Sequence, residues 1–431
     1  MIWQCGKYEF EVSARRPLFM GVCNVTPDSF SDGGEHAGVD EAVAHAHRLV
    51  AQGADIIDVG GESTRPGSAE VPFAEELARV LPVVEALVAQ DVPVSVDTRH
   101  ASVARACLGA GACAINDVSG FRDPSMREAL AAGEAGAVVM HMRGNPRTMQ
   151  SAPVYEDVVA EVEGELLASA AALEALGVAR ECIALDPGVG FGKTHAHNRA
   201  LLEATPRLAA HGYPLMAAVS RKSYIGHVTG IEAPKERDAA SALCAAAACA
   251  DGASLVRVHD VAGTASALRD SRRALVALGS NVGDGLSTLD EAVERLGRVP
   301  GLWVARVSPY VESEPAYYED QPPFTNAVCL VQTMLDPHAL LDALHGVEDA
   351  LGRVRTRAMG PRTLDLDVLD YEGVVCDEPD LTLPHPRLLE RDFVVKPLLE
   401  LCGSWTLADG SPVRQDGVRV GHVTRVLGSG A

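Results

Sequence analysis

"ADIIDVGGEST", residues 54 to 64, joins a continuous apolar run to a polar, glycine-rich turn. A run of this kind is typical of a strand in a parallel sheet that is covered on both faces. Seven further runs recur between residues 17 and 272, and the segments between them are long enough for crossover helices. The eight runs span residues 17–26, 54–64, 92–98, 112–120, 135–142, 182–190, 214–222 and 254–261.

The spacing of these runs predicts a closed (β/α)₈ TIM barrel. Residues 1–272 provide one run for roughly every 34 residues, and such a barrel needs about 250 residues in all. An open doubly wound sheet is the alternative architecture. In a barrel, the polar residues at the ends of the strands would meet at one catalytic face. Those residues are Asn24, Glu62, Thr64, Arg65, Asp97, Asn116, His141, Asp186, Arg221, Lys222, Arg257 and His259.

The composition narrows the classes of function. A formal net charge of −22 over 431 residues argues against a nucleic-acid partner, whose backbone requires a cationic surface. Local arginine clusters can still bind small anions, because charges are screened over about 8 Å. The apolar stretch at 239–250 is too short to span a bilayer, and the N-terminus resembles no export signal. Ten scattered cysteines without a CxxC pair are typical of a reduced, cytoplasmic protein.

A different pattern begins near residue 273, and we assign residues 273–431 to a second domain. Strands and helices alternate irregularly there, which predicts a smaller α+β ferredoxin-like domain with helices on one face of an antiparallel sheet. The predicted strands lie at 274–281, 302–310, 324–333 and 362–371, and the predicted helices at 285–297 and 336–351. No structure is predicted for 402–431.

"RTLDLDVL", residues 362 to 369, places two carboxylates on one face of a predicted strand. Period-two alternation sets Asp365 and Asp367 about 7 Å apart. A half-buried edge strand with a solvated outer face would show the same alternation. Four cationic side chains nearby, Arg362, His385, Arg387 and Arg391, instead favour a site for Mg²⁺ and phosphates.

Five motifs in the first domain are specific in combination. They are "NVTPDSFSDGG" (24–34), "GGESTRPG" (60–67), "DPGVGFGK" (186–193), "SRKS" (220–223) and "RVHD" (257–260). Residues 18–262 closely resemble dihydropteroate synthase. The resemblance implies condensation of 6-hydroxymethyl-7,8-dihydropterin diphosphate with p-aminobenzoate, which releases diphosphate and forms dihydropteroate.

The same resemblance assigns roles to individual residues. Asp97, Asp186 and Asn116 would bind the polar edge of the pterin, and Lys222 its carbonyl and ring nitrogen. Asn24, through Mg²⁺, would hold the leaving diphosphate together with Arg65, Arg257 and His259. The p-aminobenzoate pocket, where sulfonamides would compete, would involve Thr64, Pro66, Lys222 and Ser223, and Phe191 is a further substrate contact. Asp97, Lys222, Arg257 and His259 are the expected catalytic residues.

The second domain carries its own set of motifs. They are "LGSN" (278–281), "FTNAV" (324–328), "EDALGRVR" (348–355), "GPRTLDLDVLD" (360–370), "PHPRL" (384–388) and "RDFVVKPL" (391–398). Residues 274–399 resemble 6-hydroxymethyl-7,8-dihydropterin pyrophosphokinase. The resemblance implies ATP as co-substrate and two Mg²⁺ ions on Asp365 and Asp367.

Further residues of this domain receive roles by the same resemblance. Arg353 and Arg362 would be catalytic, while Phe324 and Phe393 would sandwich the pterin and Asn326 would bind its edge. The residues expected to bind the nucleotide are Glu348, Arg353, Arg355, His385 and Arg391. No general base is evident, so positioning and metal charge would carry the transfer.

The chain departs from the family patterns in two places. Ala358 and Met359 replace an Arg-Trp pair before "GPR", and Ala218 replaces a glycine before "SRK". Both bear on turnover and affinity rather than on the type of reaction.

We therefore predict a bifunctional folate-biosynthesis enzyme that forms a homodimer through its barrel. One alternative makes the second domain a non-catalytic pterin or nucleotide binder. The presence of Asp365, Asp367, His385 and Arg391 argues against it. The other makes the barrel a pterin-dependent methyltransferase, and "SRKS" and "STRPG" argue against it.

Overall fold

The computed structural model describes residues 1–26, 35–63, 67, 68, 70–353 and 360–429. The chain divides into two compact units. One unit comprises Met1–His227 with Ile231–Leu268, and the other comprises Val228–Gly230 with Arg269–Ala431.

The first unit is a parallel barrel preceded by a hairpin of β1 (Ile2–Cys5) and β2 (Tyr8–Glu11). The barrel strands are β3 (Leu18–Asn24), β4 (Ile56–Gly60), β5 (Val94–Asp97), β6 (Ala114–Asp117), β7 (Gly136–Met140), β8 (Ile183–Asp186), β9 (Met216–Ala217) and β10 (Leu255–Val258). Their order is β8-β7-β6-β5-β4-β3-β10-β9. A parallel bridge between Leu185 and Leu215 joins the two ends of this order. The predicted barrel is confirmed, and the doubly wound alternative is not formed.

Helices follow the strands on the outside, as the crossover connections require. They are α1 (Glu35–Ala51), α2 (Phe73–Val88), α3 (Ala101–Gly109), α4 (Pro124–Ala131), α5 (Val158–Glu174), α6 (His195–Glu203), α7 (Thr205–Ala209), α8 (Ser223–Thr229), α9 (Asp238–Ala250) and α10 (Val261–Asp270). Local sequence sets where several begin: the Asp157 carboxylate accepts from the amides of Val159 and Ala160 at the start of α5. Among the helices of the described residues, none is both long and apolar enough to cross a membrane.

The N-terminal hairpin closes the end of the barrel at which the strands start. Trp3 and Cys5 are fully buried against the first residues of several strands, among them Ile56 and Leu255. The Trp3 indole Nε1 donates to the Cys182 carbonyl over 3.0 Å. The sequence analysis did not predict this hairpin, because its two four-residue strands are too short to show a period.

The second unit is an α+β domain. Its elements are β11 (Arg272–Ser280), α11 (Gly285–Gly297), β12 (Leu302–Val307), β13 (Pro309–Ser313), β14 (Phe324–Thr333), α12 (Pro337–Ala350), β15 (Asp365–Tyr371), β16 (Cys376–Asp377), β17 (Thr382–Leu383), α13 (Asp392–Cys402) and β18 (Val423–Ser429). The main sheet is antiparallel with the order β15-β11-β14-β13-β18, and β12 also pairs with β14. β12 and β13 pair in succession along β14 and so act as one interrupted strand. Counted in this way, the order of elements is βαββαβ, which confirms the predicted ferredoxin-like class.

Helices cover both faces of this sheet, which corrects the expectation of helices on one face. On β11, Ala274, Val276 and Leu278 belong to the core that includes α11 and α12. Leu275 and Ala277 face the opposite side, where they pack with residues of α13. A strand that is apolar at successive positions rather than at alternate ones can be buried on both faces. β18, in the segment left unassigned, pairs with β13.

Candidate active sites

Four neighbouring strands of the barrel place three polar residues and one glycine in a row at their C-terminal ends. Asn24 lies opposite Gly60, Gly60 opposite Asp97, and Asp97 opposite Asn116. A methyl group at Gly60 would lie 3.4 Å from the Asn24 Oδ1, so the glycine leaves open space between its polar neighbours. The row confirms that these strand ends meet, as a closed barrel requires.

Asp97 and Asn116 of this row belong to a network of ion pairs and hydrogen bonds that also includes Asp58 and Arg257. The Arg257 Nε donates to the Asp58 Oδ2 over 2.6 Å, and its NH2 nitrogen donates to the Asp97 Oδ2 over 2.8 Å. The Asn116 Nδ2 also donates to the Asp58 Oδ2, over 3.0 Å. Burial raises the pKa of Asp97 to about 7, and the Asp58 charge adds to this effect while Arg257 opposes it. Two of the three Arg257 nitrogens are thus used by carboxylates, although the sequence analysis placed this residue at the diphosphate.

Asp186 at the end of β8 and Lys222 after β9 interact electrostatically with each other and with Arg257. Asp186 is 2 % exposed, and burial raises its pKa while the Lys222 charge lowers it. Burial lowers the pKa of Lys222 to about 8, against the charges of Asp186 and Asp97. The Lys222 Nζ donates to the Val189 carbonyl over 2.5 Å and lies 4.8 Å from the centroid of the Phe191 ring. Lys222 and Phe191, both predicted site residues, are therefore brought together.

Two other predicted site residues of the barrel lie at the ends of elements: His259 directly follows β10, and Ser223 begins α8. The His259 Nδ1 lies 2.9 Å from the Ser220 Oγ, and Ser223 is exposed at the start of α8. Ala218, which replaces the usual glycine, is buried in the barrel core. Thr64, Arg65 and Pro66 lie outside the described residues.

The second unit has a cleft of about 530 Å³ on the face of the sheet that carries α13. Gly279 on β11 lies between Asp365 on β15 and Asn326 on β14. A methyl group at Gly279 would lie 3.0 Å from the Asn326 Oδ1, so this glycine keeps the floor of the cleft open. Phe324 and Phe393, the two aromatic residues predicted to sandwich the pterin, also line the cleft.

Cationic side chains surround the two aspartates. The Arg353 NH2 nitrogen lies 2.6 Å from the Asp365 Oδ1, and the Arg362 NH2 nitrogen lies 3.3 Å from the Asp365 Oδ2. The Arg391 NH1 nitrogen and the His385 Nε2 lie 3.4 Å and 3.9 Å from the Asp367 Oδ2. Three of the four basic residues expected near the pair, Arg362, His385 and Arg391, thus lie beside it, together with Arg353. Arg387 lies instead over the Tyr317 ring, 5.0 Å from its centroid. Burial, and then the Arg391 charge, lower the pKa of His385.

Glu348, predicted to bind the nucleotide, lies behind Arg353. Its carboxylate is paired with Arg353 and accepts from the Leu366 amide over 2.7 Å. Only 1 % of Glu348 is exposed, so this residue would act on a ligand through Arg353. Arg355, Ala358 and Met359 lie outside the described residues.

The carboxylate pair has the donor chemistry that Mg²⁺ requires, since this ion prefers hard oxygen ligands. Burial raises the pKa of Asp365, and the neighbouring Asp367 charge raises it further. A divalent cation would relieve that repulsion, and the small residues Gly279 and Ala277 opposite the pair leave space for it. In the barrel, Asn24 offers a single amide oxygen, so a cation there would need further ligands from the substrate.

Several residues of the two sites were not predicted. Asp58 was given no role in the sequence analysis, and it holds both Arg257 and Asn116. The Asn281 Oδ1 accepts from the Arg362 amide over 2.9 Å and so fixes the segment before β15. Asn281 belongs to the motif "LGSN", which was the available signal.

The two parts of the chain match two known families. Residues 20–259 match the pterin binding enzymes, and residues 275–403 match 7,8-dihydro-6-hydroxymethylpterin-pyrophosphokinase. The dihydropteroate synthase of Escherichia coli K12 is 48 % identical over 254 residues, which is 59 % of this chain and 90 % of that protein.

Solved structures give the same result for the barrel. Xanthomonas albilineans dihydropteroate synthase with 4-aminobenzoic acid has a TM-score of 0.56 and 50 % identity, over 59 % of this chain and 92 % of that one. A Yersinia pestis dihydropteroate synthase–sulfonamide complex has a TM-score of 0.57 and 42 % identity, over 62 % and 97 %. The chain therefore belongs to the pterin binding enzyme family, with a dihydropteroate synthase barrel followed by a 7,8-dihydro-6-hydroxymethylpterin-pyrophosphokinase domain.

Proposed function

We propose that this chain catalyses two consecutive steps of folate biosynthesis. The second domain would transfer diphosphate from ATP to 6-hydroxymethyl-7,8-dihydropterin, with AMP as the other product. The barrel would condense that product with p-aminobenzoate to give dihydropteroate and diphosphate. The observation that carries the proposal is the presence, in one chain, of a polar barrel mouth and of a second cleft with paired aspartates among arginines.

In the kinase cleft, the protein would act mainly by positioning. Phe324 and Phe393 would hold the two faces of the pterin, and Asn326, which is fixed by a 2.9 Å bond to the Ser313 Oγ, would bind its edge. Mg²⁺ on Asp365 and Asp367 would neutralise charge on the ATP phosphates. The arginines around the pair would hold the phosphate oxygens while the hydroxymethyl oxygen attacks the β-phosphorus of ATP.

In the barrel, Asp97, Asn116 and Asp186 would bind the polar edge of the pterin. The Asn116 Oδ1 supports this role, because it is buried and has no hydrogen-bond partner among the described residues. An N–H of the pterin would satisfy it. Lys222 has one proton on the Val189 carbonyl, which leaves two for the pterin carbonyl and ring nitrogen.

The chemical step forms a C–N bond and breaks a C–O bond. The p-aminobenzoate nitrogen attacks the methylene carbon of the pterin, the diphosphate leaves, and the amine loses a proton. His259, Arg65 and the remaining nitrogen of Arg257 would stabilise charge on the leaving group, with Asn24 holding Mg²⁺ there. By similarity to the Yersinia pestis complex, the p-aminobenzoate site would also accept sulfonamides.

We further propose that the protein works in the cytoplasm as a homodimer formed through its barrel. Its ten cysteines are all free thiols, which suits a reducing compartment.

The experiment is a coupled assay with the purified chain. ATP, Mg²⁺, hydroxymethyldihydropterin and p-aminobenzoate should yield AMP and dihydropteroate in equal amounts. Dihydropteroate formed only from supplied pterin diphosphate, with no AMP, would instead support a non-catalytic second domain. No dihydropteroate from either starting material would overturn the assignment of the barrel.

A further inference from the structure

The segment 188–192 follows β8 at the C-terminal face of the barrel and carries Phe191. All five of its backbone carbonyls accept a hydrogen bond. The donors are the Phe191 amide to Gly188 (3.0 Å), the Lys222 Nζ to Val189 (2.5 Å), the Gln150 Nε2 to Gly190 (2.7 Å), the Lys193 Nζ to Phe191 (3.0 Å) and the Tyr155 hydroxyl to Gly192 (2.9 Å). Side chains thus hold four of the five carbonyls, which fixes the path of the segment.

Lys193 is the buried member of this set of donors. Only 2 % of it is exposed, and its Nζ also lies 2.9 Å from the His141 Nδ1 and 3.1 Å from the His141 carbonyl. Three acceptors match the three protons of an ammonium group. Burial lowers the pKa of Lys193 to about 7, against the charge of Asp186, so the ammonium form predominates below that pH. Burial lowers the pKa of His141 to about 2, so the ring is neutral and its Nδ1 can accept. Lys193 therefore links Phe191 to the end of β7.

The segment is pressed closely onto the chain that follows β7. Gly188 has a φ of +66°, and a methyl group there would lie 1.9 Å from the His141 carbonyl oxygen. Gly192 has a φ of +65°, and a methyl group there would lie 2.5 Å from the Arg143 carbonyl oxygen. Only glycine suits both positions. These close backbone contacts, together with the bonds made by Lys193, Gln150 and Tyr155, hold the segment against the chain that follows β7.

The position of Lys222 depends on the same segment. Its Nζ is bonded to the Val189 carbonyl and lies over the Phe191 ring at 4.8 Å from the centroid. A shift of residues 189–191 would therefore move both an aromatic wall of the site and the ammonium group proposed to bind the pterin. A misplacement of about 1 Å at a reacting site can lower the rate about a hundredfold.

We infer that Lys193 is a positioning residue of the synthase, which sets Phe191 and Lys222 without touching the substrate. The inference rests on the proposed synthase function of the barrel. It gives a role to the last residue of "DPGVGFGK", a motif of which the proposed mechanism uses Asp186 and Phe191 but not the lysine.

The test is Lys193→Met, which keeps most of the side-chain volume and removes the three donors. We expect the synthase kcat/KM for p-aminobenzoate to fall about tenfold, chiefly through KM, as the loss of charge-assisted hydrogen bonds predicts. AMP formation by the kinase domain of the same molecule should stay unchanged, and a cooperative thermal unfolding transition of the barrel reports that the variant is folded. Lys235→Met is the matched control, because Lys235 is exposed.

Gln150→Ala provides a second measurement that does not disturb the core. Gln150 is exposed and holds the Gly190 carbonyl, so its loss should raise the KM for p-aminobenzoate about threefold. If Lys193→Met folds and keeps both synthase constants within twofold of the wild type, the inference is wrong. If Lys193→Met does not fold, an unchanged KM in Gln150→Ala overturns it. A wild-type chain that makes no dihydropteroate from pterin diphosphate would refute the proposed function instead.

Discussion

Replacement of Asp58 by Asn tests the buried network under the barrel mouth. The Asp58 side chain is fully buried, and its Oδ2 accepts from both the Arg257 Nε and the Asn116 Nδ2. Complete disruption of a buried ion pair costs about 3–5 kcal/mol. Arg257 is 18 % exposed and keeps its bond to Asp97, and Asn retains one acceptor oxygen. We therefore expect the free energy of unfolding of the barrel to fall by about 2–3 kcal/mol.

A loss of that size lowers the unfolding temperature by about 5–10 °C in a domain of this length. The assay is the temperature at which half of the synthase activity survives a fixed period of heating. Kinase activity in the same samples is the internal reference, and Asp40→Asn, at an exposed position of α1, is the matched control. An Asp58→Asn variant within 1 °C of the wild type would refute the claim that Asp58 anchors Arg257 and Asn116.

Two further predictions concern the two sites separately. Gly279→Val should raise the kinase KM for hydroxymethyldihydropterin at least tenfold and leave the synthase unchanged, because even a methyl group would lie 3.0 Å from the Asn326 Oδ1. Equal kinase constants in the variant and the wild type would show that Gly279 does not contact the pterin at the floor of the cleft. The synthase kcat/KM for the pterin diphosphate should rise through about pH 7 as Asp97 ionises and fall above about pH 8 as Lys222 loses its proton. Burial shifts the pKa values of both groups towards neutrality. A profile of kcat/KM that is flat from pH 6 to 9 would contradict these roles.

The sequence predicted the elements of the fold well where a repeating pattern of apolar residues extends over a whole strand or helix. The eight apolar runs gave the barrel, and the 285–297 prediction matches α11. The hairpin that carries Trp3 was missed because four-residue strands show little pattern. The position of α13 was also missed, although the unbroken apolar run "ALVALG" at 274–279 indicated a strand buried on both faces.

Motif resemblance indicated most of the residues that lie in the two candidate active sites, but not the hydrogen bonds and ion pairs between them. Asp97 and Asn116 lie at the ends of neighbouring barrel strands, so their proximity followed from the topology. The bond of Arg257 to Asp58 joins residues 199 positions apart in sequence. Such a pairing depends on side-chain packing within the barrel, and local sequence carries no signal for it.

The central claim is that one chain carries two independent active sites, and the most direct measurement is a pair of assays on two single variants. Asp367→Ala should reduce AMP formation to below about a hundredth of the wild type, because metal-assisted positioning is lost, and should leave dihydropteroate synthesis from supplied diphosphate intact. Lys222→Met should have the opposite pattern. Loss of both activities in either variant would contradict the account.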